Sequence, residues 1–137
     1  MQYSTYLGGA AIDIVHDLGL DSAGILYLCG QTNSTDFWVS PNALFPERVA
    51  TSGFLVSFNP DLRLFVYSTF IPSDQWAIAR EIDVVSPGRL WVSGEVSDVA
   101  TFPTTDDALQ PRGGGFDDGF FSLWDLSENQ LVYSSFL

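Results

Sequence analysis

Apolar residues along this chain recur at every second position far more often than at helical spacing. The stretches 12–20, 25–31, 53–59 and 64–71, and again 77–85, 89–96, 119–125 and 130–136, alternate or run apolar. They are rich in β-branched and aromatic side chains and are bounded by Gly, Pro, Asp, Asn and Ser, which predicts short strands throughout. The first two stretches of each set are joined by "DSAG" at 21–24 and "SPG" at 86–88, where glycine supplies the positive φ of a tight hairpin. Each set therefore reads as an antiparallel meander. The second and third stretches are separated by about 20 residues, too long for a plain hairpin loop, and a turn of 3₁₀ or α-helix is expected near "PNAL" and "DDALQ".

The two sets are copies of one another. "YSTYLGG" at 3–9 returns as "FVYSTFI" at 65–71 and as "LVYSSFL" at 131–137, so that Tyr3, Tyr67 and Tyr133 lie 64 and 66 residues apart. Between them Ile14 meets Ile78, Gly24 meets Gly88, Leu26 meets Leu90, Gly30 meets Gly94, Phe37 meets Phe102, and Gly53-Phe54 meets Gly119-Phe120. His16 falls on Arg80. Matches that keep their order over a whole period mark a repeat array, and a four-stranded antiparallel unit repeated in tandem is the mark of β-propeller blades. The array spans 1–137: an outer-strand phrase at 2–9, blade one at 12–71 and blade two at 76–137.

The phrases "YSTYLGG", "GLDSAGILYLCGQTNSTDF", "ATFPTTDDALQ" and "GGGFDDGFFSLWDLSENQLVYSSF" resemble the bacterial seven-bladed β-propeller repeat family, SBBP. The resemblance runs through two full repeats and the tail of a preceding one. It departs at Trp38, where the family prefers proline, at the missing glycine run before Gly53, and at Ile71-Pro72, which replace Leu-Gly-Gly. It implies an all-β fold in which the strand after each Y-S-T phrase is innermost and the phrase itself outermost. It also implies an extracellular or cell-surface setting. The start "MQYSTYLGG" has neither the basic residues nor the apolar run of a secretory leader.

Charge narrows the partners. Seventeen acidic residues face five arginines and no lysine, a net charge of −12. A nucleic-acid binder needs cations to displace phosphate counterions, so that partner is not expected. No apolar run reaches the 18 residues or more of a membrane span. An acidic surface supplies solubility and resistance to indiscriminate association.

Candidate chemistry is sparse. With His16 as the single histidine and no G-x-S-x-G around any serine, no catalytic constellation is present, and no enzyme activity or cofactor is expected. Cys29 is alone in the apolar stretch "ILYLCG" and reads as a buried small hydrophobe. "RGGGFDDG" sets Asp117 and Asp118 after a glycine run as weak calcium candidates, without the D-x-D-x-D-G ladder of a strong site. Trp38, Trp76, Trp91 and Trp124 read as wedge-filling core or interface residues, with sugar stacking as the other reading.

Two blades cannot close a ring that needs about four to eight, and repeat arrays need caps where they end. This chain begins on Tyr3, Tyr6 and Leu7 and finishes on Leu131, Tyr133, Phe136 and Leu137, which are apolar or aromatic rather than capping. Blade two already owns an outer strand, so the leading phrase is surplus within its own chain. The expected function is a structural module that self-associates by strand addition and blade-face packing into a ring or a filament. The alternative is a piece of a longer propeller that binds a carbohydrate or protein ligand.

Overall fold

Both units fold as the alternation dictates. The computed structural model describes residues 4–97 and 101–137. The first sheet is β1 (Asp13–Leu20), β2 (Leu26–Thr32), β3 (Ser52–Asn59) and β4 (Leu64–Ile71), and the second is β5 (Trp76–Ser86), β6 (Arg89–Ser97), β7 (Asp117–Asp125) and β8 (Gln130–Phe136). Each is an antiparallel meander with its strands side by side in sequence order. The hairpin glycines take the expected left-handed conformation, Gly24 at φ 82° and Gly88 at φ 79°.

The repeat extends to the irregularities. The inner strand of each sheet bulges at the same place, with His16 and Arg80 as the extra residues. The outer pair bulges likewise, at Val66 and Val132. Gly30 and Gly94 lie so close to the bulged strand that a Cβ would come within 1.9 Å of the Ile14 carbonyl oxygen and 2.0 Å of that of Ile78. Only glycine fits there, which is why these two positions match across the copies.

Two expectations need correction. No helix forms near "PNAL" or "DDALQ"; each is a single turn, closed by Ala43 N–H to Ser40 O and by Ala108 N–H to Thr105 O, both 3.0 Å. The amides that would continue a helix are taken by the outer strand instead. Leu44 N–H donates to the Tyr67 hydroxyl at 2.9 Å and Phe45 N–H to Thr69 Oγ1 at 2.9 Å. Within the leading phrase, Ser4–Gly9 are also not a strand in the single chain, since they carry no ladder, while residues 2 and 3 lie outside the described residues. The chain past it is tied to side chains, Gly9 N–H to Asp13 Oδ2 and Ala10 N–H to Asp36 Oδ1 at 2.8 Å each, and Ala11 N–H to Ser34 Oγ at 2.9 Å.

The main core lies between the sheets, where β5 runs against all four strands of the first sheet. Tyr27, Cys29, Leu55 and Ile71 meet Ala77, Ala79, Leu90, Val92 and Trp124 there. Each sheet also carries a phenylalanine triad, Phe37, Phe54 and Phe70 in the first and Phe102, Phe120 and Phe136 in the second. Ring centroids within the triads lie 4.7 to 6.1 Å apart. Such tilted aromatic packing holds the loop between the second and third strands onto its own sheet.

Candidate interaction surface

The contact between the sheets has an apolar centre and a polar margin. At the margin the Tyr27 hydroxyl donates to Asp21 Oδ2 at 2.8 Å and accepts Gly88 N–H at 2.7 Å. Asp17 Oδ2 accepts Ile82 N–H at 3.0 Å. The Tyr67 hydroxyl donates to Asn129 Oδ1 at 2.6 Å, and Asn129 Nδ2 donates to the Asn42 carbonyl at 2.9 Å. Burial, reinforced by the Asp21 carboxylate, pushes the Tyr27 hydroxyl up to about 12. Burial likewise pushes the Cys29 thiol up to about 12, with Asp17 adding to it. Burial raises the Asp21 carboxyl, but hydrogen bonds from Ile25 N–H, the Tyr27 hydroxyl and Ala23 N–H outweigh it and hold the group below its ordinary value.

The outward faces of the two sheets carry the same residue pattern without a sheet packed on them, although Phe54, Val56 and Phe70 on the first are sealed by packing with Phe37, Leu7 and Val39. On the second sheet Trp91, Phe121, Leu123 and Tyr133 stand where Tyr27, Leu55, Ser57 and Tyr67 stand on the first, yet all four are half-buried rather than buried. Trp91, Phe121 and Tyr133 form one aromatic patch with centroids 5.5 to 6.0 Å apart. On the first sheet Leu18 and Leu20, 58% and 61% exposed, stand where Ile82 and Val84 pack into the main core. Leu26 and Leu28 are half-buried where Leu90 and Val92 are sealed. One open face is thus a second copy of the first sheet's half of the internal contact, and the other a second copy of the second sheet's half.

Residues 2–37 match the SBBP beta-propeller repeat family. No curated protein and no solved structure matches the chain. The match begins on the leading phrase and runs through β1 and β2 to Phe37. Two four-stranded antiparallel sheets and, among the described residues, no helix agree with that repeat.

Against this surface the residues singled out at the chain ends divide. Tyr3 lies outside the described residues. Tyr6 is 99% exposed, although its repeat equivalents Phe70 and Phe136 are 3% and 1% exposed within their triads. Leu7 lies against the first sheet's triad, beside Leu28 and Phe65, and equivalent Ile71 packs into the main core. Tyr133 is in the open aromatic patch, its hydroxyl accepting Leu109 N–H at 3.1 Å. Leu137 is exposed, while Leu131 and Phe136 serve the main core and offer the surface little. The open-face residues Leu18, Leu20, Phe121 and Leu123 carry no signal of their own in the sequence, though mapping each buried residue onto its repeat equivalent picks them out.

Other candidates are scattered. The Asp118 carboxylate accepts Gly114 N–H at 3.1 Å and Gly115 N–H at 3.3 Å, while Asp117 is exposed at the start of β7. Two carboxylates fall short of the six to eight oxygens that calcium takes. Among the described residues no group of three or more His, Cys, Asp or Glu is placed to hold a metal ion. His16 faces Gln31 at 3.2 Å, and Arg80 pairs with Glu95 at 3.1 Å on the surface. His16, Asp17, Glu81, Asp83, Trp91 and Phe121 line an open cleft of about 530 Å³ where the inner strands meet. No helix is long and apolar enough to cross a membrane among the described residues.

Proposed function

We propose that this chain is a non-enzymatic structural β-propeller module that associates head to tail with copies of itself, outside the cell. The second sheet's open face packs on the first sheet's open face of the next copy, and the leading phrase adds along the edge of the neighbour's last sheet. The observation that carries this reading is that the two uncovered faces repeat the two halves of the contact already made inside the chain. A heterologous contact of this kind closes into a ring if the rotation allows and otherwise grows as a filament.

Complementation tests it. Trp91→Glu blocks one face and Leu18→Glu the other, and each variant alone is expected to sediment as a 15.0 kDa monomer while the parent does not. Mixed, they retain one good face each and should give a one-to-one dimer that grows no further. A monomeric parent, or a mixture that stays monomeric, overturns the reading. A second reading rests on the cleft, where Trp91 and Phe121 stand beside carboxylates as in a carbohydrate platform. Quenching of Trp91 fluorescence by neutral oligosaccharides without any change in mass would favour it.

A further inference from the structure

Resting on head-to-tail association, we infer that Arg63 of one copy pairs with Asp107 and Tyr133 of the copy before it, and that this ion pair fixes the direction of docking. Inside the chain the corresponding place is neutral. Asn129 sits in the β7–β8 hairpin at φ 54°, takes the Tyr67 hydroxyl on its Oδ1 and donates to the Asn42 carbonyl. The repeat carries Asn129 onto Arg63, which adopts φ 55° in the β3–β4 hairpin and so leaves its backbone on the same course. It carries Tyr67 onto Tyr133 and Asn42 onto Asp107. The tyrosine is already set, since Leu109 N–H holds its hydroxyl as Leu44 N–H holds that of Tyr67.

The Asn129 side-chain amide, which meets the Asn42 backbone carbonyl within the chain, is thus replaced, at the place where copies would meet, by an arginine, and the residue that supplies that carbonyl is replaced by an aspartate, which adds a carboxylate beside it. Arg63 and Asp107 are exposed in the single chain. An arginine has five donors and no acceptor, so it serves the Asp107 carboxylate and the Tyr133 oxygen together and leaves the tyrosine proton for the carboxylate. With five arginines among seventeen acids, a cation placed opposite an aspartate at this position bears on docking. Not every internal contact carries over. Trp91 replaces Tyr27 and has only a donor, so the hydroxyl that accepts Gly88 N–H has no counterpart, and the contact between copies differs chemically from the one within.

Charge reversal tests the pair in the full chain. Arg63→Asp and Asp107→Arg should each weaken association on the order of tenfold or more, because each sets like charges side by side. The double variant, with the pair restored in opposite sense, should return to within a few-fold of the parent. The single changes move net charge in opposite directions, so an effect of overall charge would strengthen one and weaken the other. That outcome, or a double variant no better than the singles, overturns the pair while leaving the face contact standing. A parent that fails to associate overturns both. Thermal unfolding of the isolated variants, measured beside association, separates lost docking from lost folding.

Discussion

Cys29 and Tyr27 show how the contact between the sheets acts on single groups. Both are sealed by the second sheet and stay protonated to about 12, whereas in the unfolded chain they titrate from the ordinary 9.0 and 10.0. Their folded pKa values are raised, so the stabilisation is complete below pH 9 and is lost as the pH climbs toward 12. Urea midpoints should therefore fall steadily above pH 9, and Cys29 should resist thiol reagents at pH 8 until the chain unfolds. A thiol titrated at once by the reagent would contradict its burial. The acid side has the opposite sign. Burial raises the Asp13 carboxyl, but bonds from Thr32, Ser34 and Gly9 outweigh it, and Ser127 lowers that of Asp125. Together with Asp21 these groups stabilise the fold above the ordinary 3.8, and that contribution disappears as the pH falls below it.

Among the elements, the inner hairpins depend most on single residues. Gly30→Ala and Gly94→Ala drive a methyl into a backbone carbonyl that cannot step aside without moving the bulge. Each should cost more than the about 1–3 kcal/mol of ordinary overpacking, read as a lowered denaturation midpoint, while Gly24→Ala, with open space around it, should suffer only from its positive φ. A Gly94→Ala midpoint equal to the parent's would show that the bulge yields. The same glycines explain why so much of the fold was legible beforehand: period-two alternation, hairpin glycines and repeated spacing are local properties, and all eight strands begin and end within two residues of expectation. The turns at Ala43 and Ala108 were less legible, because their amides answer to the outer strand, some 25 residues away. The proposed docking surface is legible in the sequence only in part. Nothing local to Leu18 says that Val84 lies against its neighbour Gly19; that knowledge needs the copies superposed in space.

At the scale of the whole molecule, the two sheets bury one face each against the other and leave part of the opposite face to water, Leu18 and Leu20 on the first and the half-buried Trp91, Phe121 and Tyr133 on the second, while Phe54, Val56 and Phe70 are covered from within the chain. Exposed apolar patches are uncommon on proteins that remain monomers, and a net charge of −12 favours solubility of a chain that carries them.

Leu7 adds a matter of timing. It rests on the first sheet's triad where, in the proposed head-to-tail contact, a neighbour's Leu137 would arrive, because Leu7, Ile71 and Leu137 are one position of the repeat. With β8 laddered to β7 and Phe136 buried, the leading phrase has less to lose by leaving. If copies dock as proposed, docking waits on a first-order release, so the observed association rate should level off as protein concentration rises. Removing residues 1–8 should abolish that plateau, and, by taking away the phrase proposed to pair along the neighbour's β8, should shorten the lifetime of the complex. Stopped-flow mixing of the two face-blocked variants, with and without the phrase, reads both constants, and a rate linear in concentration for the intact chain would mean that the phrase does not stand in the way.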